Sequence, residues 1–359
     1  MTLLRRWARQ WAITVLLALA AVTGFSFVYN AVTQGSVALP PGLRFVQTGD
    51  IRTRYVEWGA SGTPVVLVHG FIESADTWAP TARLLAADHR VYAIDLDGFG
   101  YTQRVAPYTT DHDTAQLLDF ISALHLARPV LVGHSSGAAV VADAALRAPA
   151  RVGGVMFLDG DGLPLPGGRR PPTIPQPFGT TILRLALRSD TAIRLIYATT
   201  CGPTCPALDA AGVEQWRRPF QVPGAESAVW QVVGAGIPSL APGQLAGLAR
   251  LASVPRAVVF GADDPEYASG AAAQTAALIG APAPLLIPSA RHLTPISSPA
   301  AVSGAVERLA ARAAANPVTA ADAVTDTATS TDTGTVTSTT TSTGTGTTST
   351  ASTSTVTGG

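Results

Sequence analysis

A series of short apolar runs punctuates the middle of this chain, at Pro64–His69, Arg90–Asp95, Pro129–Gly133, Val155–Asp159, Ala257–Gly261 and Pro284–Ile287. None alternates apolar with polar residues, so a strand built from one must be covered on both faces. Shorter strand signals precede them at Leu43–Gln47 and Tyr55–Trp58. Between the runs lie segments with helical spacing: Thr114–Leu126, and the Ala-rich Ser136–Arg147, Ser269–Ile279 and Pro299–Ala315. Strand and helix alternating at this spacing predict an α/β fold with a doubly wound, mostly parallel sheet. Ligands of such sheets bind beyond the carboxyl ends of the strands, so the residues that follow each run are where chemistry is expected.

The chain divides by composition into unlike segments. Arg5, Arg6 and Arg9 precede an uncharged stretch from Trp11 to Tyr29. At about 1.5 Å per residue this stretch is close to the roughly 30 Å of a bilayer's hydrocarbon layer. Residues 1–30 therefore read as an uncleaved signal anchor, with the arginines on the cytoplasmic side and the rest of the chain outside. A cleaved signal peptide is the alternative, with Ala18-Leu19-Ala20 as its processing site and secretion as its consequence. Residues 31–42 read as a linker and residues 43–316 as one large domain. Residues 317–359 are mostly Thr, Ser, Gly, Ala and Asp; with no aromatic or long aliphatic side chain to bury, they are expected to be a disordered tail.

Charge excludes one class of partner. Lys is absent, and 24 Arg balance 24 acidic residues in 359, which leaves no basic footprint for nucleic acid. No phosphate-binding glycine loop, dinucleotide fingerprint or metal-ligand spacing is present, so no cofactor and no metal are expected.

The chemistry gathers at particular strand ends. After Pro129–Gly133 comes Gly133-His134-Ser135-Ser136-Gly137, a G-x-S-x-G pattern with a strand entering and an Ala-rich helix leaving. A sharp turn there strains the backbone at Ser135 and exposes its hydroxyl as a nucleophile; His134, at the variable position, reads as a spacer. A serine hydroxyl needs an imidazole base and a carboxylate to orient that base. His292 is the only His after Ser135 and follows the last run, in Pro288-Ser289-Ala290-Arg291-His292. Asp264, in Gly261-Ala262-Asp263-Asp264-Pro265, is the expected acid. Asp263 beside it and Asp159, at the end of an earlier run, are the alternatives. The oxyanion needs two preorganised donors, expected to be the backbone N–H groups of Ser136 and of Phe71 in His69-Gly70-Phe71.

Residues 43 to 315 resemble the α/β-hydrolase fold family. The resemblance rests on His69-Gly70-Phe71 with Ser74 and Trp78, on Asp95-Leu96-Asp97-Gly98-Phe99-Gly100, on the Gly133–Gly137 turn, on Gly261–Pro265 and on His292. It implies a cap inserted at about 162–250, where Pro164, Pro175 and Pro177 interrupt the alternation and helical patterns follow near Thr181–Tyr197 and Ala211–Pro219. Phe178, Trp216, Phe220 and Trp230 in this region are candidates for an apolar pocket, or for packing the cap on the core. Relatives often carry Pro where Asp97 stands, and a Gly-His pair where Arg291-His292 stands. Ser135 separates the chain from relatives with an Asp nucleophile, such as haloalkane dehalogenases and epoxide hydrolases.

Cys201 and Cys205 are the only cysteines. In an extracytoplasmic domain they are expected to form a disulfide. The leading expectation is an extracytoplasmic serine hydrolase acting on a small-molecule acyl or ester substrate, lipids included. Related Ser-His-Asp activities (amidase, C–C hydrolase, perhydrolase) and a non-catalytic cell-surface binding protein are the alternatives.

Overall fold

The computed structural model describes residues 2–165 and 173–316. The tail expected at 317–359 lies outside the described residues. The domain is built on an eight-stranded sheet: β1 (Arg44–Thr48), β2 (Ile51–Trp58), β3 (Thr63–Val68), β4 (His89–Ile94), β5 (Val130–His134), β6 (Gly154–Leu158), β7 (Arg256–Gly261) and β8 (Leu285–Ile287), in the order β1-β2-β4-β3-β5-β6-β7-β8. The β1–β2 and β2–β4 pairs are antiparallel and all the others parallel.

The apolar runs are buried for the reason their sequence suggests. Along β3, Val65 and Leu67 enter one core, with Trp78 and with Leu85 of α2 (Ala79–Leu85) and Val306 of α12 (Pro299–Ala314). Val66 and Val68 enter the core on the opposite face, with Leu117 and Phe120 of α3 (Thr110–Ala123) and Val140 of α4 (Gly137–Arg147). Burying each such side chain stabilises the fold by roughly 1.5–3 kcal/mol. The second strand is longer than Tyr55–Trp58 because Arg54, polar yet buried, pairs with Asp95 at 3.2 Å and Asp76 at 2.6 Å. Helix α3 begins at Thr110, upstream of the expected Thr114, because the Thr109 side chain caps it by accepting from His112 N–H at 3.3 Å.

Between β6 and β7 the chain forms α5 (Phe178–Arg188), α6 (Asp190–Cys201), α7 (Ala210–Arg217), α8 (Ala225–Ala235) and α9 (Pro242–Leu245). The pattern read as one helix over Thr181–Tyr197 is two. Ser189 leaves helical geometry and caps α6 through a 3.1 Å bond from Ala192 N–H to its hydroxyl. Cys201 and Cys205 are joined by a disulfide at the end of α6. Further helices are α10 (Ala271–Ile279), between β7 and β8, and α11 (Thr294–Ser297), just before α12. The N-terminal segment is one long helix, α1 (Thr2–Thr33), of which Arg5–Thr33 is long and apolar enough to cross a membrane, with a mean hydropathy of 2.1.

Candidate active site

Ser135 leaves β5 with φ 51°, in the left-handed region that a side chain adopts only under constraint. The constraint is close packing without side chains. A Cβ on Gly133 would stand 2.3 Å from the Gly137 carbonyl oxygen, and one on Gly137 would stand 2.7 Å from the carbonyl oxygens of Val68 and His69. Helix α4 therefore starts directly against β3, and Ser135 is held at the strand's carboxyl end.

Across the strand ends, His292 is buried, and its Nδ1 lies 2.8 Å from Asp264 Oδ2. Its Nε2 lies 3.5 Å from Glu266 Oε2, and the Tyr267 ring stacks on it at 6.1 Å. Burial works to lower the His292 pKa. The hydrogen bond it donates to Asp264 and the charges of Asp264 and Glu266 outweigh burial and the opposing charge of His134, and the pKa is raised above 6.5. Ser135 and His292 line the same cavity of about 550 Å³.

The alternative acids sit elsewhere. Asp263 is exposed, and its N–H donates to the Ala290 carbonyl at 2.9 Å. Asp159 is fully buried; its Oδ1 accepts from Gly261 N–H at 2.7 Å, and its Oδ2 from Thr294 N–H at 3.2 Å and from the Thr294 hydroxyl. Asp159 thus ties the end of β6 to the end of β7 and to the backbone just past His292.

The Phe71 and Ser136 N–H groups make no hydrogen bond within the described residues. His69 explains how Phe71 is aimed. Its Nε2 accepts from Leu96 N–H at 3.0 Å, so Nδ1 carries the proton and donates to the Gly70 carbonyl at 2.7 Å. Burial lowers the His69 pKa and keeps this neutral form. The Gly70–Phe71 peptide is planar and trans, so fixing its C=O points the Phe71 N–H the opposite way. Gly70 itself has no room for a side chain, since a Cβ would stand 2.7 Å from that of Ser135.

His134 is not a spacer. Its ring is fully buried, with Nδ1 2.8 Å from Glu73 Oε1 and Nε2 donating to the His292 carbonyl at 2.7 Å. Burial opposes the charge on His134, but Glu73 and Asp159 raise its pKa well above 6.5. Burial alone would raise the Glu73 pKa, and the His134 charge instead lowers it. The pair braces the backbone of the candidate base from behind. Sequence reasoning missed Glu73 because only the fold brings the residue just before Ser74 under the turn at Ser135.

Asp97, which stands where relatives often have Pro, holds its loop by other means. Its N–H donates to Gln116 Oε1 at 2.9 Å and its Oδ1 accepts from Val105 N–H at 3.1 Å, while burial pushes its pKa up to about 6.

The cavity lies under the helices between β6 and β7. Leu183, Leu187, Ile193, Ile196, Trp216 and Phe220 line it, but Phe178 and Trp230 do not. Trp230 instead packs near Gly179. Glu73, Asp161 and Glu266 also line the cavity, and none of its described lining residues is Arg.

A parallel sheet with a strained serine at one strand end and a paired carboxylate–imidazole at two others is a recurrent hydrolase arrangement. A model of the alpha/beta hydrolase family matches residues 65–305. The chain belongs to the alpha/beta hydrolase family. Among its curated relatives, 2-hydroxy-6-oxo-6-(2'-aminophenyl)hexa-2,4-dienoic acid hydrolase of Metapseudomonas resinovorans is 42% identical over 101 residues, 27% of this chain. Epoxide hydrolase A of Mycobacterium tuberculosis is 39% identical over 129 residues, 34% of this chain. The chain spans only 34% and 40% of the lengths of these relatives. A crystal structure of a membrane phospholipase A shares the fold with a TM-score of 0.61 at 19% identity, over 85% of this chain and 99% of that one. A serine hydrolase involved in carbazole degradation shares it with a TM-score of 0.62 at 23% identity, over 75% and 98%.

Proposed function

We propose that this alpha/beta hydrolase is a membrane-anchored, extracytoplasmic serine hydrolase that cleaves carboxylic esters through an acyl-enzyme on Ser135. The observation that carries the reading is the strained Ser135 facing the same cavity as His292, whose far nitrogen is bonded to Asp264 at 2.8 Å. Ser135 Oγ attacks the ester carbonyl carbon and His292 Nε2 takes its proton. Asp264 holds the Nδ1–H tautomer and stabilises the imidazolium as it forms. The oxyanion is received by the N–H groups of Phe71 and Ser136, and the protonated His292 then donates to the leaving alkoxide. A water molecule, deprotonated by His292, releases the acid. The mechanism requires Ser135 Oγ and His292 Nε2 to come within hydrogen-bond reach when substrate fills the cavity that both line.

The cavity's charge bears on the substrate. Three carboxylates and no described Arg face it, which disfavours an anionic acyl group such as the dienoic acid in the first relative's name. Apolar helix faces on the cap side favour a neutral ester with a hydrocarbon acyl chain.

The test is hydrolysis of p-nitrophenyl esters of increasing chain length, together with labelling by a fluorophosphonate probe. We expect Ser135→Ala to abolish labelling and lower kcat by several orders of magnitude with the fold intact. Unchanged turnover in that variant refutes the mechanism. Absence of labelling and turnover in the native chain favours a binding protein that retains the fold.

A further inference from the structure

The outer face of the helices over the cavity is unusually apolar for a surface exposed to water. On α5, Ile182 and Leu185 are 51% and 48% exposed, on one stripe that ends at the exposed Arg188. On the adjoining α6, Leu195 and Ile196 are 66% and 54% exposed, and Leu165, before α5, is 44% exposed. Ile196 and Leu165 also line the cavity, so the apolar face runs to its mouth.

This face is fixed at one height relative to α1. The stretch Trp11–Tyr29 of α1 is followed directly by Asn30, which is bonded to α5 and to the residue just before α5. Asn30 Nδ2 donates to the Pro177 carbonyl at 2.9 Å, and its Oδ1 accepts from the Thr181 hydroxyl at 3.1 Å. Arg184 donates to the Asn30 carbonyl at 2.5 Å and to Thr33 Oγ1 at 3.1 Å, and is itself clamped by both Glu226 oxygens at 2.7 Å. The segment after α1 is tied down too, with Val37 N–H donating to the Gln221 carbonyl at 3.0 Å. No slack separates the end of the apolar span from the cap. An 11-residue helix is about 16 Å long, so every residue of α5 stays within about that distance of the point where α1 leaves the hydrocarbon.

We propose that the α5–α6 face docks on the bilayer that holds α1, and that the cavity draws the acyl chain of a membrane lipid ester through the mouth beside Leu165 and Ile196. This rests on the anchored-hydrolase reading above and names its substrate class. Ile182, Leu185 and Leu195 enter the acyl boundary, and Arg188 extends to the head groups. Lipid leaves the bilayer for an apolar cavity without crossing water.

The test reconstitutes the full chain in phosphatidylcholine vesicles containing brominated acyl chains. The chain has no free cysteine among its described residues, so Leu195→Cys and, on α12 packed against the sheet, the exposed Arg308→Cys each accept one fluorophore. Bromine quenching at 195 and not at 308 is expected. No quenching at 195 overturns the docking, and this readout needs no turnover. The double variant Ile182→Glu, Leu185→Glu is expected to hydrolyse the vesicle lipid at least 10-fold more slowly. Its rate on a soluble short-chain p-nitrophenyl ester should stay within twofold of native, because neither residue lines the cavity. Equal loss on both substrates, or none on either, overturns the proposal. A native chain that is quenched at 195 but hydrolyses neither ester instead removes the hydrolase reading and leaves the docking standing.

Discussion

Asp264→Asn isolates the charge that the mechanism assigns to the acid. The substitution keeps shape and removes the carboxylate bonded at 2.8 Å to His292 Nδ1. In the transition state His292 becomes a cation, and two unit charges about 4 Å apart at an effective dielectric of about 20 attract by roughly 4 kcal/mol. That corresponds to roughly a 10³-fold fall in kcat, before any further loss from an imidazole in the wrong tautomer. The pH profile carries a second signature. Only neutral His292 acts as a base, so activity falls as pH drops through its pKa, which in the native chain lies above 6.5. Without Asp264 the burial that lowers this pKa loses its main opponent, and the acid limb moves to lower pH. The assay is kcat and kcat/KM on a p-nitrophenyl ester from pH 5 to 9, beside a thermal melt. Asp159→Asn is the paired control. Its carboxylate accepts from Gly261 and Thr294, and leaving such buried groups poorly matched costs about 1–3 kcal/mol each. We expect that variant to melt earlier with an acid limb close to native. A near-native rate in Asp264→Asn, with a kinetic collapse in a stably folded Asp159→Asn, would show that the acid is Asp159.

Glu73→Gln should break the brace behind the base, lowering kcat about 10-fold or more with little change in KM, and Glu73→Asp should restore part of it; unchanged kinetics in Glu73→Gln refute the bracing role. Linkage gives this pair a pH signature as well. The His134 pKa is raised in the fold, so its stabilisation is complete below the unfolded pKa and fades as pH rises through the folded one; in Glu73→Gln that fade should shrink in melts across this range. Gly133→Ala, with a Cβ 2.3 Å from backbone oxygen, should cost about 3 kcal/mol or more, read as a lower melting temperature or as loss of soluble protein. Asp97, with its pKa raised by burial to about 6, favours the fold more when protonated, so native stability relative to Asp97→Asn should rise as pH falls from 7 to 5. A flat difference between those two melts would contradict the burial argument. Phe220→Ala, which widens the cavity, should shift the ester preference toward longer acyl chains, measured as the ratio of kcat/KM values.

The elements legible in the sequence are those whose cause is local. Val65 to Val68 carry no polar alternation because both faces of β3 are covered, and that can be read without knowing what covers them. Gly133 and Gly137 flank Ser135 because any side chain there meets backbone, which restricts residue type at those positions directly. The helix break at Ser189 was less legible, since a single serine cap competes with a helical pattern that runs through it on both sides.

What only the tertiary structure decided involves partners far apart in the chain. Asp159 and Asp264 follow neighbouring strands and read alike in sequence, and both accept backbone N–H groups, yet only Asp264 bonds the His292 imidazole. His134 looks like a filler residue until Glu73 is folded beneath it. The apolar stripe on α5 looks like core, and it is surface because Arg184 ties that helix to the end of α1. Local sterics and side-chain periodicity are written along the chain and set the sheet, the turn at Ser135 and the candidate base. The pairing of buried charges and the covering of apolar faces depend on which residues the sheet order brings within a few ångströms, and no spacing along the chain encodes that.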